Sequence, residues 1–326
     1  MHTPQLPDRQ HICIAGATGY AGQELLRLLG RHPHVGQVST ATARQGVDAI
    51  PLDAQWVVLA TPAESSAELA WPLIQRGQCV LDLSGAHRAG DPVAHEHAYG
   101  FAHPHPQALT EAVYGFDASS AELQTAKLIA NPGCYANALL SALVPLQAAG
   151  VVATGAVVDA TGISGVSGAG RTPSERTMYM YVAENLAPYR TGRAHQHLVE
   201  VERRTGVHLL FVPLVAPLRR GMLVAGSVDV TEWLAKNPLV HKQLPPLRLG
   251  DDPLWQQVAN APEVLAVAEQ NTVHVHYYLD VAARRVQFVS VIDNLLRGAA
   301  SHAVYNLNRA CGWPALAGLD DGGIYE

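Results

Sequence analysis

The chain has 326 residues, of which 48% are hydrophobic and 15% charged, and its formal net charge at pH 7 is −6. These values predict a globular protein of two domains and give no electrostatic basis for binding nucleic acid or a membrane surface. The first ten residues lack the basic start and apolar core of a signal peptide. The four cysteines form no C-x-x-C pair, so we expect a cytoplasmic protein with reduced thiols.

Short apolar segments alternate with helical segments in the first third of the chain. Strands are predicted at 11–15, 37–42, 56–61 and 79–83, with helices at 22–30 and 63–76. This alternation is typical of an α/β protein with a Rossmann-type doubly wound parallel sheet. Residues 86–120 lack periodicity and are predicted to be an extended loop. Its histidines are predicted to lie at the surface: His95, His97, His103 and His105.

A glycine-rich loop follows the first predicted strand. The motif GATGYAG consists of Gly16, Ala17, Thr18, Gly19, Tyr20, Ala21 and Gly22. Between a strand and a helix, such a loop lets a pyrophosphate approach the backbone and the helix N-terminus. The alternative is a purely structural turn.

The end of the second predicted strand indicates which nucleotide is bound. NAD sites usually place an acidic residue there to hold the ribose hydroxyls, and this strand has none. Ser39, Thr42 and Arg44 are present instead, and we predict that they bind the 2′-phosphate of NADP(H). The alternative is that Arg44 is simply solvated.

The segment NPGCY, residues 131–135, places Cys134 where a loop becomes a helix. Residues 136–149 are rich in helix formers, although Pro145 is expected to end or kink the helix. A thiol at a helix N-terminus faces unpaired N–H groups and the positive end of the helix dipole, which favour the thiolate. Cys134 is therefore a candidate nucleophile.

The second half of the chain predicts a different architecture. Strand-like segments lie at 157–161, 209–215, 226–230, 273–279 and 285–291. They indicate an α+β domain built on a mainly antiparallel sheet. The loop SGVSGAGR, residues 164–171, either offers N–H groups and hydroxyls to an anion or is a flexible turn. His195 and His197 are candidates for acid/base catalysis, and no metal is predicted because no third ligand is identified.

Eight motifs occur in order along the chain: GATGYAG, DLSGAHR, AVYGF, NPGCYANA, SGVSGAGR, HQHLVEVE, FVPLVAPLRRGM and DNLLRGAA. Together they resemble the N-acetyl-gamma-glutamyl-phosphate reductase family of the aspartate-semialdehyde dehydrogenase superfamily. The resemblance implies an NADP-dependent reductive dephosphorylation in arginine biosynthesis, by way of a thioester on Cys134. It places the acid/base histidine at His195 or His197.

The resemblance also implies domains and further contacts. Residues 1–133 with 298–326 correspond to an NADP-binding domain, and 134–297 to a catalytic and dimerisation domain, in a homodimer or homotetramer. Further cofactor contacts are implied at Ser167, Gly168 and Asn294. Contacts with a small acyl phosphate substrate are implied at Arg88, Asn131, Ser164, Arg171 and Arg219.

The chain departs from the family pattern at several positions. Ala86-His87 replaces an acidic-aromatic pair, Asp117-Ala118 replaces Pro-Glu, and Gln196 replaces the arginine usual between the histidines. These changes leave the acyl group open, with aspartyl or aminoadipyl phosphate as alternatives. From other classes, a nucleotide-binding redox regulator without turnover and a cysteine hydrolase are alternatives.

Overall fold

The computed structural model describes residues 9–238 and 243–319. The chain divides into two compact units. One unit extends to Gly133 and resumes at Ala299, and the other is Cys134–Gly298.

The first unit is built on a parallel sheet. Its described strands are β1 (Gln10–Ala15), β2 (Val35–Ala41), β3 (Trp56–Leu59), β4 (Cys79–Asp82), β5 (Val113–Tyr114) and β6 (Leu128–Ala130). They lie in the order β2-β1-β3-β4-β6-β5, and every described pair is parallel. After β1 the chain adds a strand on one side and then on the other, so the loop after β1 lies at the switch point where such sheets bind ligands. The predicted Rossmann-type sheet is confirmed.

Helices flank these strands in the sequence. With helices numbered in chain order through both units, those of the first unit are α1 (Tyr20–Leu29), α2 (Ala63–Gln75), α3 (Pro92–Tyr99), α4 (Pro106–Glu111), α5 (Ser120–Thr125) and α10 (Ser301–Ala310). The prediction of an extended loop over residues 86–120 is therefore wrong. Pro92 and Pro106 stand in the first turn of α3 and α4, where a missing N–H group costs no hydrogen bond. Asp91 caps α3 by accepting from the Ala94 N–H group at 2.9 Å.

The second unit contains a mixed sheet. Its described strands are β7 (Val157–Gly165), β8 (Ala187–Pro188), β9 (His208–Ala216), β10 (Met222–Asp229), β11 (Trp255–Gln257), β12 (Val273–Asp280) and β13 (Arg285–Ile292). Their order is β11-β12-β13-β10-β7-β9-β8. The β7–β9 and β11–β12 pairs are parallel and the other described pairs antiparallel, which confirms a mainly antiparallel sheet. The described α-helices of this unit are α6 (Cys134–Ala148), α7 (Tyr179–Val182), α8 (His197–Thr205) and α9 (Thr231–Lys236).

Helix α6 passes through Pro145 without ending there, so an end of the helix at Pro145 is wrong, whereas a kink stays a prediction. Proline lacks the N–H group that would bond to the carbonyl of Ser141, four residues earlier. In this fold the indole Nε1 of Trp255 donates to that carbonyl at 2.9 Å. The neighbouring sheet therefore supplies the missing donor, and the helix continues because the carbonyl is satisfied.

Candidate active site

Cys134 is the first residue of α6 and is half-buried. The backbone N–H groups of the first helical turn have no partners within the helix, so the thiol lies at the positive end of the helix dipole. Gly298 passes close to it: a Cβ atom added at Gly298 would lie 2.9 Å from the Cβ atom of Cys134. Only glycine fits beside the candidate nucleophile at this point.

His195 and His197 lie at the start of α8, with ring centroids 4.8 Å apart, and both are buried. The backbone N–H of His197 donates to Nδ1 of His195 at 3.2 Å. Because Nδ1 accepts, the proton of a neutral His195 ring lies on Nε2. Burial, together with the charges of His197 and Arg190, lowers the pKa of His195 to about 2, although Glu200 opposes the shift. His195 is thus a neutral hydrogen-bond donor.

His197 has a different environment. Its Nε2 atom lies 3.9 Å from Oε1 of Glu200, one turn later on α8, and Glu200 is buried. A carboxylate at this distance can orient the ring and stabilise the positive charge that arises when the ring accepts a proton. Of the two histidines, His197 therefore has the surroundings suited to accepting and returning a proton.

Aromatic rings enclose the histidine pair. The ring of His195 has Phe211, Tyr135 and Tyr189 at centroid distances of 5.4, 5.6 and 5.7 Å. Burial raises the pKa of Tyr135 and of Tyr189, and the nearby Cys134 contributes to both shifts. Cys134 therefore interacts with the two tyrosines that pack against His195, and the catalytic roles predicted for Cys134, His195 and His197 stay predictions.

Strand β9 and Ser164 hold the buried tyrosine in place. The hydroxyl of Tyr135 donates to the carbonyl of Leu214 at 3.1 Å and interacts with the hydroxyls of Tyr189 and Ser164. Ser164 itself is buried. Its position at the edge of the cluster is compatible with the predicted contact to substrate, which stays a prediction.

Asn294 forms a hydrogen bond with the Gly/Ser loop that follows β7. Asn294 accepts from the N–H group of Gly221 at 2.7 Å and donates to the hydroxyl of Ser167 at 3.0 Å. A Cβ atom added at Gly168 would lie 2.9 Å from Oγ of Ser164, so the loop is closely packed. These bonds give Asn294 a structural role, and the cofactor contacts predicted for Ser167, Gly168 and Asn294 stay predictions.

The predicted substrate-binding arginines lie in different surroundings. Arg171 is exposed at the end of the Gly/Ser loop. Arg219 is also exposed and forms an ion pair with Glu269. In the first unit, Arg88 is buried and donates to the carbonyls of Asn131 at 2.8 Å and Leu83 at 2.5 Å. Arg88 therefore joins backbone segments within its own unit, and its predicted substrate contact stays a prediction.

Asn131 is likewise engaged within the first unit. Its side-chain amide donates to the carbonyl of Ala299 at 3.2 Å and accepts from Asn306 at 3.1 Å. The side chain is buried. This arrangement ties the segment before Cys134 to the chain that returns at Ala299.

The loop from Gly16 to Gly22 connects β1 to α1. Gly16 has a φ of +88°, and a Cβ atom there would lie 2.3 Å from the carbonyl oxygen of Ala60. A Cβ atom at Gly22 would lie 2.4 Å from the carbonyl oxygen of Gly16. A Cβ atom at Gly19 would lie 3.6 Å from this same oxygen, an ordinary van der Waals contact. Gly16 and Gly22 are thus required by packing, whereas Gly19 is not, which leaves close approach of a pyrophosphate as the predicted reason for a glycine there.

The residues predicted to hold a 2′-phosphate lie at the end of β2. Ser39 is bonded to Nε2 of His11 at 2.8 Å, and Thr42 donates to Gln45 at 2.7 Å. Arg44 lies in the exposed turn Ala43–Gln45. Of the three, Arg44 has its side chain most directly available to a ligand.

The first unit also contains a group of buried histidines. His95 and His103 are buried, so their predicted surface location is wrong, whereas His97 is exposed and His105 is half-buried. The ring of His103 lies 5.0 Å from that of His95 and 5.1 Å from that of His87. His87 is itself bonded to Asp82 at 2.7 Å.

These imidazoles pack as aromatic rings. Burial lowers the pKa of His95, and it lowers the pKa of His103 to about 4. Both rings are therefore neutral near pH 7. His87 takes part in the same packing through its contact with the ring of His103.

Comparisons with known proteins agree with this arrangement. A family model described as the semialdehyde dehydrogenase dimerisation domain matches residues 134–294. An N-acetyl-gamma-glutamyl-phosphate reductase from Thermus thermophilus is 35% identical, over 96% of this chain and 99% of that protein. One from Salinispora arenicola is 37% identical, over 96% and 98%. The chain belongs to the N-acetyl-gamma-glutamyl-phosphate reductase family. The resemblance drawn from the eight motifs is confirmed.

Solved structures agree on the fold. Aspartate semialdehyde dehydrogenase II from Vibrio cholerae has a TM-score of 0.67 at 17% identity and covers 93% of this chain and 98% of its own. The enzyme from Candida albicans, solved with NADP, has a TM-score of 0.61 at 14% identity and covers 93% and 99%. At these identities the likeness concerns the fold alone.

The structure of this reductase places four residues near the histidine pair that were not predicted from the sequence. Tyr135, Tyr189 and Glu200 surround the histidine pair, and Arg190 acts on the pKa of His195. Tyr135 follows Cys134 directly, and Glu200 lies one helical turn after His197, so their spacing was a usable signal. No local signal marks Arg190.

Among the described helices, none is long and apolar enough to span a membrane.

Proposed function

We propose that the protein reduces N-acetyl-gamma-glutamyl phosphate to N-acetylglutamate semialdehyde with NADPH, in arginine biosynthesis. The observation that carries the proposal is the cluster in which Cys134, at a helix N-terminus, shares buried surroundings with His195 and His197. Relatives at 35–37% identity that bear this enzyme's name support the choice of acyl group.

In the proposed reaction, the Cys134 thiolate attacks the acyl carbonyl and inorganic phosphate leaves with the bonding electrons. The product is a thioester, which accepts hydride readily, whereas a carboxylate does not. NADPH supplies that hydride when bound. The resulting hemithioacetal then collapses to the aldehyde and regenerates the thiolate.

The two histidines take different parts in this proposal. Neutral His195 carries its proton on Nε2 and donates a hydrogen bond to the oxygen that becomes negative, together with N–H groups at the start of α6. His197, beside Glu200, protonates the hemithioacetal oxygen and removes that proton when the aldehyde forms.

We assign cofactor binding to the first unit and catalysis, with subunit contacts, to Cys134–Gly298. The glycine at position 19, which packing does not require, and the exposed Arg44 support binding of NADP(H). Arg44→Gln is expected to weaken NADPH binding while leaving NADH binding unchanged, as measured by nucleotide fluorescence. A homo-oligomer is supported by the description of the family model and by Leu210 and Val212, which are exposed apolar residues on β9.

The test is NADP⁺ reduction in the presence of phosphate and one of three semialdehydes, derived from N-acetylglutamate, aspartate or aminoadipate. Preference for the first supports the proposal, and preference for another reassigns the acyl group. Cys134→Ser should bind NADPH normally and lose turnover. Near-normal turnover in this variant would falsify the thioester route.

A further inference from the structure

Arg190 lies beside the catalytic cluster of the second unit. It directly follows Tyr189, whose ring is 5.7 Å from that of His195. Its charge contributes to the lowered pKa of His195 and opposes the rise that burial causes in the pKa of Tyr189. The side chain is exposed. A guanidinium therefore acts electrostatically on the pocket and is also accessible to an incoming ligand.

Arg190 differs from several other arginines of this unit because its hydrogen-bond partner is neutral. Several of the others form ion pairs with carboxylates: Arg193, Arg219, Arg220, Arg285 and Arg297. Arg190 instead donates from one terminal nitrogen to Oε1 of Gln196 at 2.7 Å. An amide orients a guanidinium without neutralising it, so the positive charge remains for another anion.

The backbone at Arg190 also has an unusual conformation. Its φ is +43°, in the left-handed region that residues other than glycine rarely adopt. Such conformations persist where the surrounding structure imposes them, often at ligand-binding positions. Here Tyr189 is held on one side by its N–H bond to the carbonyl of Pro213 at 3.1 Å, and Gln196 holds the side chain on the other.

We propose that Arg190 binds an oxyanion of the substrate and that Gln196 orients it for this task. The inference rests on the proposed function, whose substrate carries a phosphate at one end and a carboxylate on the acyl chain. A guanidinium matches either group with paired hydrogen bonds. Gln196 is itself neutral, so in this pair the positive charge comes from residue 190.

The experiment compares wild type with Arg190→Gln in the direction of NADP⁺ reduction. Removing charge-assisted hydrogen bonds is expected to raise one KM by about 10- to 100-fold, with kcat changed by less than about threefold. A rise in the KM of phosphate assigns Arg190 to the phosphate, and a rise in the KM of the semialdehyde assigns it to the carboxylate. Arg203→Gln, at an exposed arginine in the last turn of α8, is the matched control and should leave both KM values unchanged.

Two further variants distinguish charge from structure. Arg190→Lys should lose part of the affinity because lysine keeps the charge without the planar fork. The double variant Arg190→Gln/Gln196→Arg returns an arginine to the neighbouring position and should recover part of the lost affinity. KM values in Arg190→Gln within about twofold of wild type overturn the proposal. A second contrary result combines two observations: Arg190→Gln has a lowered melting temperature, and the double variant recovers no affinity. The loss of affinity would then come from lost stability rather than from lost charge, and the proposal is overturned.

A readout independent of turnover separates this inference from the proposed function. Iodoacetamide alkylates Cys134, and phosphate or N-acetylglutamate should slow the alkylation by occupying the pocket. In Arg190→Gln the concentration needed for protection by one of them should rise about tenfold, in line with the loss of charge-assisted hydrogen bonds. Protection that depends on Arg190 in a protein without reductase activity refutes only the proposed function. Activity with unchanged protection refutes only the role of Arg190.

Discussion

Alanine substitutions in the loop after β1 separate glycines needed for packing from one that a nucleotide needs. At Gly22, the added Cβ atom would lie 2.4 Å from the carbonyl oxygen of Gly16 and 2.7 Å from Cα of Ala17. Both are backbone atoms, which cannot move aside as a side chain can. Overpacking of this kind costs about 1–3 kcal/mol. The gain in helix propensity returns at most about 1 kcal/mol, so Gly22→Ala should be destabilising.

Gly19→Ala should behave differently. Gly19 has φ −71° and ψ 165°, which alanine adopts readily, and its added Cβ atom would meet the carbonyl oxygen of Gly16 at 3.6 Å, an ordinary contact distance. The reduced entropy of the unfolded chain offsets the weaker cap, since each effect is below about 1 kcal/mol. The melting temperature should therefore stay within about 2 °C of wild type. Gly22→Ala, whose clash with backbone lies in the upper part of the overpacking range and leaves a net cost of about 1–2 kcal/mol, should lose about 2–8 °C. The new methyl group nevertheless occupies the space that a pyrophosphate would use.

The assay combines thermal unfolding, followed by circular dichroism, with titration of NADPH by fluorescence. Gly19→Ala is expected to raise the Kd of NADPH at least about tenfold, equivalent to about 1.4 kcal/mol. Gln23→Ala, at an exposed position of α1, serves as the control. Wild-type affinity in a stable Gly19→Ala protein refutes pyrophosphate binding at this loop. An unchanged melting temperature in Gly22→Ala refutes the packing argument.

Three other predictions concern packing and charge. Gly162→Ala would place a Cβ atom 2.3 Å from the ring of Tyr135. The free energy of unfolding should drop by about 1–3 kcal/mol, and kcat should fall because Tyr135 is displaced. An unchanged kcat contradicts a role for Tyr135 in positioning the histidines. Asp252→Asn leaves the charge of fully buried Arg297 uncompensated. The free energy of unfolding, measured in urea, should decrease by about 3–5 kcal/mol. A decrease below about 1 kcal/mol contradicts the importance of this ion pair. The pKa of His103 falls from 6.5 in the unfolded chain to about 4 in the fold, so the unfolded state binds the extra proton and the free energy of unfolding should decrease as pH falls from 6.5 towards 4. His103→Gln should show a smaller decrease, and equal pH dependence in both proteins contradicts this role.

Local patterns were sufficient where one segment determines its own structure. The alternation of apolar strands and helices predicted the parallel sheet, and NPGCY predicted a cysteine at a helix start. The same reasoning was wrong at residues 86–120, because the two helices there are short, begin at prolines and show no apolar periodicity. It was also wrong at Pro145, where the helix continues because Trp255, more than a hundred residues later, satisfies the free carbonyl.

The sequence by itself determined the parallel sheet, the glycine loop, the candidate nucleophile at a helix start and the two candidate acid/base histidines. Each of these depends on neighbours within a few residues, where backbone preferences and spacing act. Only the tertiary structure decided that His95 and His103 are buried neutral rings, because burial depends on what other segments cover them. It also decided that Arg190 is hydrogen-bonded to the neutral amide of Gln196 and acts electrostatically on His195. The field at His195 is a sum over groups that the fold brings together, and no single segment of the sequence contains that sum.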